Sequence, residues 1–437
     1  MSNINPFSLL KKGVVYIGII LLLSFLLNDK AVACNKVIIS FLLIIFISLS
    51  EVFTKKINFG LSSIFFLFSL FFLGIAPLYQ YVENVTLWGG EPLSDNVYLK
   101  TNIIIIGSLF LYKFFYYRTF NSRSKDCLFE EPINNNLQNN NFVILLLLSF
   151  VCSCYIFLFV YRGNVVNLLF RIDQESDGLN NSLGLINQFF IRPIPTICFF
   201  LYKKSLTTTP LKTFLLFILM AISFFPLAVP RFAVAAFYIP LAFLYINKLH
   251  KKYNLIYLLI FAILIIFPAL DLVRSTNKEF SSSTILHMFL LGHFDSYQMF
   301  ARTVFLEYIT YGKQLLGVLF FFIPRFIWNE KPIGSGYLIA HESNLYFDNI
   351  SMNFLGEGYI NFGIIGTFIF VIGLAYFNAK MDLMYWTNHF IKPSKWLIYL
   401  MSLGMEFIIL RGALLNIFPV YLGYLTSILF VNYISKK

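Results

Sequence analysis

Residues 142–161 read Phe-Val-Ile-Leu-Leu-Leu-Leu-Ser-Phe-Val-Cys-Ser-Cys-Tyr-Ile-Phe-Leu-Phe-Val-Tyr, twenty consecutive positions without a charge. At about 1.5 Å of rise per residue, a helix of this length spans about 30 Å, the thickness of a bilayer's hydrocarbon core. Apolar residues fill both parities of the stretch, so it lacks the alternation of a membrane β-strand. A helix also satisfies its backbone polar groups within one segment, as lipid requires.

Similar runs recur outward in both directions. The chain has 437 residues, of which 58% are hydrophobic and 12% charged, with 53 Phe, too little polar surface to cover a soluble globule. The pattern predicts an all-α polytopic integral membrane protein with about twelve transmembrane helices, at roughly 13–27, 37–50, 61–78, 101–117, 142–161, 184–202, 213–229, 231–247, 253–270, 358–378, 396–412 and 414–433. Residues 1–270 then form a membrane domain of nine helices, 271–357 one large extracytoplasmic loop, and 358–437 a membrane domain of three. The apolar stretch Leu315 to Ile323 is read as part of a re-entrant or interfacial helix near 313–327, because a crossing there would reverse the last third of the chain. Lys11 and Lys12 precede the first apolar run, which ends at Asn28-Asp29-Lys30 without a small-x-small site; a retained first helix is expected.

Charge fixes the expected orientation. With a cytoplasmic N-terminus, the inside segments carry 19 basic and five acidic residues, a balance of +14, while everything else sums to −2. Both termini are therefore placed inside and the long loop outside. Because the net charge of +12 sits in short loops between apolar spans, nucleic acid is not indicated as a partner. The five Cys (Cys34, Cys127, Cys152, Cys154, Cys198) show neither metal-ligand spacing nor a disulfide framework. The Asn-rich stretch around 134–141 reads as a solvated linker.

Arginine is distributed differently from lysine. Of ten Arg, only Arg118 and Arg123 are inside, against 17 Lys; Arg162, Arg171, Arg192, Arg231, Arg274, Arg302, Arg325 and Arg411 lie outside or within the membrane. Guanidinium grips phosphate oxygens with a planar fork and keeps its charge when desolvated. Arg192 stands inside a span beside Pro193 and Pro195, Arg231 follows Pro230 between two helices, and Arg411 precedes Gly412 near a helix end. A charge at mid-bilayer costs about 2.5–3.5 kcal/mol on insertion scales, so such residues either serve function or pair with a carboxylate such as Glu406. Arg162 and Arg171, near Asp173, Glu175 and Asp177, are read as an ion-pair network.

The long loop gathers Arg274, His293, Asp295, Arg325, Lys331, His341 and Glu357. His341 has the intrinsic pKa of a general base for a hydroxyl near neutral pH. Glu357, between Gly356 and Gly358 at a helix start, suits either capping or catalysis. Arg325 and Lys331 bracket a proline-rich turn suited to anion binding, whereas His293 and Asp295 are read as structural.

Pro324-Arg325 through Lys331-Pro332, followed by Gly356-Glu357-Gly358-Tyr359-Ile360-Asn361-Phe362-Gly363 and Gly366, resembles the O-antigen or oligosaccharide repeat-unit polymerases, the Wzy family. Arg231 and Arg411-Gly412 are looser matches, with Pro230 standing where a small residue is more usual. The resemblance implies a GT-C-like membrane fold in a bacterial cytoplasmic (inner) membrane. It also implies a glycosyltransferase that moves a glycan from its polyprenyl pyrophosphate, undecaprenyl pyrophosphate in the family, onto a fresh lipid-linked repeat unit for O-antigen, capsule or related polysaccharide. On this basis His341, Glu357 and Arg325 are the catalytic candidates. Arg192, Arg231, Arg274, Lys331 and Arg411 would bind pyrophosphate or sugar. No cofactor and no metal are expected, since no Asp-x-Asp site is evident in the loop; Asp173, Glu175 and Asp177 are the one counterexample. Expected partners are the donor and acceptor lipid-linked glycans, membrane lipid, a chain-length regulator and a flippase.

Two other functions fit a dozen helices with buried cations. A lipid-linked oligosaccharide flippase is one, although the chain shows one long loop and no internal repeat. An O-antigen ligase is the other, and it would use His341 and the arginines identically.

Overall fold

The computed structural model describes residues 13, 16–20, 35–53, 57–122, 141–169, 187–205, 208–227, 229, 231–266, 287–387 and 391–436; for 169, 187, 188, 231, 232 and 266 only the backbone is described. Among these residues the chain is helical and without strands. Six helices are long and apolar enough to cross a membrane: Leu61–Val82, Asp95–Asn121, Phe142–Val160, Phe354–Trp386, Pro393–Arg411 and Leu414–Ile434. Lys36–Val52 follows the same pattern at 17 residues, and Pro210–Ser223, Ala233–Tyr245 and Asn254–Ile265 are shorter apolar helices.

The starts of the helices are written in their caps. Asn35, Asn141 and Asn353 each turn a side-chain oxygen onto an amide of the following first turn, while Pro210 and Pro393 open theirs with a pre-set φ. Leu61–Val82 is the central pillar, buried from Leu61 through Leu78, with Phe65 stacked 3.7 Å from Tyr112. Phe142–Val160, by contrast, bares Val143, Leu147, Phe150, Val151 and Phe159, each more than half exposed. Apolar surface this continuous is not stable in water, and lipid is the medium that suits it. The chain is an α-helical membrane protein.

The bundle has two chemically distinct ends. At one, Asp382 accepts hydrogen bonds from the Leu61 amide (3.1 Å), the Tyr116 hydroxyl (2.7 Å) and the Tyr399 hydroxyl (2.8 Å), drawing four helices together. Tyr253 and Asn58 join there, as do Trp386 and Phe59. At the opposite end, Gln80 donates to the carbonyls of Phe289 and Phe294, and Leu87 to Gln298, so residues 287–353 fold over the helix ends there. Asp382 and Glu51, two of the five acidic residues of the expected inside segments, are buried in the packing, Glu51 against Lys113 at 2.6 Å and the Tyr117 hydroxyl at 2.9 Å.

The helix expected at 358–378 is built differently. Within Phe354–Trp386 the backbone leaves helical geometry at Phe362 and at Gly363, whose φ of 65° and ψ of −150° suit only glycine. The chain folds back there: the Thr367 hydroxyl reaches the Leu355 carbonyl (3.2 Å), twelve residues away, which a straight helix would hold about 18 Å apart. Gly358 and Gly366 permit the contact, since a Cβ on Gly366 would lie 2.2 Å from the Gly358 oxygen. The Ile360 and Asn361 carbonyls exposed by the break accept from Thr310 and Gly312, and the Asn361 side chain accepts from Leu315. Lys313–Leu319, seven residues and about 10 Å long, follows this docking point.

Candidate functional site

The break between the last two helices is where the folded-over segment meets the membrane bundle. Arg411 ends Pro393–Arg411 and sends its guanidinium to Asp295 Oδ1 (3.4 Å) and the Gly292 carbonyl (3.4 Å). Asp295 is itself buried, held by the Ser351 hydroxyl and by the Trp88 indole N–H at 3.4 Å. Arg411 keeps about a quarter of its side chain exposed, and its buried Nε has no partner among the described residues. The cation is positioned from one side and open on another.

Three residues further on, the Leu414 amide, first of its helix, donates to Glu357 Oε1 (3.0 Å), while the Ser335 hydroxyl donates to Oε2 (2.9 Å). Glu357 therefore sits in the first turn of one helix and on the first amide of another. With 1% exposure and both oxygens occupied, it acts as a clamp between Ser335–Glu342, the 354–361 segment and Leu414–Ile434. His341 is carried on the same short helix as Ser335, about 9 Å along it, and is exposed.

Arg325 and Lys331 turn their cations inward on their own loop. Arg325 donates to the Lys331 carbonyl (2.9 Å) and the Pro332 carbonyl (3.3 Å); Lys331 Nζ donates to Phe321 (2.6 Å) and Ile323 (2.9 Å) carbonyls. Partial burial, and then the neighbouring Arg325 charge, pull the Lys331 ammonium below the ordinary lysine range. The turn lies against the start of the last helix: Phe321 meets Phe418 at 6.2 Å, and a Cβ on Gly334 would lie 3.9 Å from that of Ala413. The turn that carries Arg325 and Lys331 thus lies beside the start of the helix whose first amide Glu357 holds, just beyond Arg411.

Arg192 is not part of it. It stands at the turn between Asn187–Ile191 and Ile194–Lys203, donating to the Ser223 carbonyl (3.0 Å) and the Tyr161 hydroxyl (2.6 Å), with the rings of Tyr161 and Phe224 beside it. A cation on the last carbonyl of Pro210–Ser223 complements that helix's dipole. Phe224 touches Tyr424, ten residues down the final helix, so Arg192 lies about 15 Å from the level of Leu414. Arg274, Arg171 and the Asp173, Glu175, Asp177 group lie outside the described residues, as does the Arg231 side chain. Among the described residues no three His, Cys, Asp or Glu converge to hold a metal ion.

Sequence reasoning did not see the share of residues 84–91 in this site. Trp88, at φ 60°, packs its indole so closely on Gly292 that a Cβ there would lie 1.9 Å from the ring. Buried Arg302, its guanidinium pulled below the usual range mainly by burial, donates to the Glu91 carbonyl (3.0 Å) beside Gly90. The available signal was Trp88-Gly89-Gly90 itself, a turn-forming run next to an aromatic. Asn84, Trp88, Glu307, Tyr311 and Asn344 all take positive φ at this end, and strain of this kind clusters at functional sites.

Comparison with family models, with curated proteins and with solved structures gives no match.

Proposed function

We propose that the chain is a polymerase of polyprenyl-pyrophosphate-linked glycan repeat units, acting at the outer face of a bacterial cytoplasmic membrane. Under this reading it has twelve spans and cytoplasmic termini, and residues 271–357 form the extracytoplasmic loop. The observation that carries it is Arg411: a guanidinium at the end of a membrane helix, held by Asp295 with about a quarter of its side chain still exposed. A pyrophosphate attached to a lipid would approach from the bilayer, and such a site offers it a fixed donor.

In the reaction, the acceptor sugar hydroxyl attacks the anomeric carbon of the lipid-linked donor chain. The bond from that carbon to the pyrophosphate oxygen breaks, a glycosidic bond forms, and the lipid pyrophosphate leaves with the electron pair. Arg411 would meet the charge growing on the leaving group, with Arg325 closing the adjacent turn and Lys331 held beneath it. His341, exposed on the helix that Glu357 anchors, would take the hydroxyl proton. Glu357 becomes a positioning residue, and Arg192 a cap that holds the neighbouring helices. Positive charge on the sugar carbon would be oxocarbenium-like.

The test is direct. Purified protein incubated with lipid-linked repeat units should give products two or more repeats long on the lipid, and Arg411→Ala should remove them while leaving the protein folded. Products no longer than one repeat from active wild-type protein would sink the proposal.

A further inference from the structure

A second feature lies at the Asp382 end of the bundle, away from Arg411. A groove of about 590 Å³ opens between Ile194–Lys203, Pro210–Ser223 and Arg231–Tyr245. Lys203, Thr208 and Thr209 line one part of it, and Phe214, Phe217 and Tyr245 line another. The Lys203 ammonium faces the Tyr245 ring at 5.7 Å and has no carboxylate partner among the described residues. The Thr208 and Thr209 residues are exposed, and Phe214 and Tyr245 are each more than half exposed.

The stretch of sequence that forms the groove is one-sided in charge. Between Asp177 and Asp271 the sequence contains no Asp or Glu at all, while Lys203, Lys204, Lys212, Lys248, Lys251 and Lys252 fall in that interval. Lys204 and Lys212 lie over the rings of Trp396 (4.5 Å) and Phe142 (4.8 Å), which keeps their charge beside the bundle. A groove that is cationic and hydroxyl-lined at its rim, with exposed phenylalanine further in, matches a ligand that is anionic at one end and hydrocarbon at the other.

We infer that this groove binds an anionic phospholipid, its headgroup phosphate at Lys203, Thr208 and Thr209 and an acyl chain along Phe214 and Phe217. Basic pockets between transmembrane helices hold anionic headgroups by this combination of charge and apolar wall. The inference is independent of the proposed reaction, since the groove shares no residue with the Arg411 site.

Native mass spectrometry of the full chain released from detergent tests it, with phosphatidylglycerol and phosphatidylcholine supplied in equal amounts. Retention of phosphatidylglycerol about fivefold over phosphatidylcholine is expected for the wild type, lost in Lys203→Ala and kept in Lys313→Ala at the other end. Phe217→Ser, which leaves every cation in place, should weaken retention of both lipids. Equal retention of the two lipids by the wild type, or an undiminished preference in Lys203→Ala, would overturn the inference. Displacement of the lipid by millimolar inorganic phosphate would do so as well, by pointing to a soluble anion; an undisturbed complex supports the lipid.

Discussion

Arg411 Nη2 lies 3.4 Å from Asp295 Oδ1, so a partly buried ion pair is among the contacts that join the folded-over segment to the membrane bundle. Exposed pairs contribute about 0–1 kcal/mol, and breaking a fully buried one costs about 3–5 kcal/mol. The Asp295→Ala variant should fall between, losing about 2 kcal/mol, because it also strands the Trp88 and Ser351 donors. Thermal unfolding in detergent, followed by tryptophan fluorescence, measures this. The exchanged pair Asp295→Arg with Arg411→Asp should recover only the ion pair's share of that stability, since arginine accepts from neither Trp88 nor Ser351, and should not recover polymer, since the cation would then sit on the wrong side of the opening; restored polymer would mean that Arg411 matters only as a fastener.

Glu357 distinguishes clamp from base. Glu357→Gln keeps an acceptor oxygen for the Leu414 amide and should unfold within a few degrees of wild type with most activity retained. Glu357→Ala leaves the Leu414 amide and the Ser335 hydroxyl unpaired and should cost about 1–3 kcal/mol. Abolished turnover in a stable Glu357→Gln protein would return the proton-accepting role to this residue.

Asp382 should dominate stability at the far end. Replacing it with Ala removes an acceptor shared by two tyrosine hydroxyls and one amide, a loss of about 2 kcal/mol, with no direct effect on the Arg411 site. Its readout is the unfolding temperature and the yield of detergent-extracted protein; an unchanged unfolding temperature would mean that the three hydrogen bonds contribute nothing net.

Lys331 makes the 320–332 turn sensitive to pH. Its folded pKa is depressed, so the unfolded turn binds the proton more tightly, and the turn should gain stability as pH rises from below the folded value toward the ordinary lysine value of about 10.4. Limited proteolysis in this turn should therefore be slower at pH 10 than at pH 8, and Lys331→Met should flatten the difference. Faster cleavage of the wild-type turn at the higher pH would contradict the sign.

Much of this architecture is legible in residues alone, and the exceptions share a physical cause. The apolar spans and the cations at the last helix break follow from composition and from the cost of burying charge. Periodicity missed the reversal at Gly363, because Phe362, Ile364 and Ile365 continue an apolar pattern through it. Glu357 was found from its glycine neighbours, but its partner is the Leu414 amide, 57 residues away and invisible to any local signal. Trp88 and Arg302 were likewise hidden, since their contacts depend on how residues 84–91 and 287–305 fold together. Arg192 and Arg411 looked alike as intramembrane cations, and only packing separates a helix cap from an open site.

Removing the protein from a bacterium that makes a surface polysaccharide distinguishes polymerisation from the alternatives in a single measurement. Electrophoresis of the finished polysaccharide on its carrier should show single repeat units in place of a ladder of long chains. Long chains of normal distribution would contradict the claim. A carrier with no repeat unit would point to a flippase, and accumulation of undelivered polymer to a ligase.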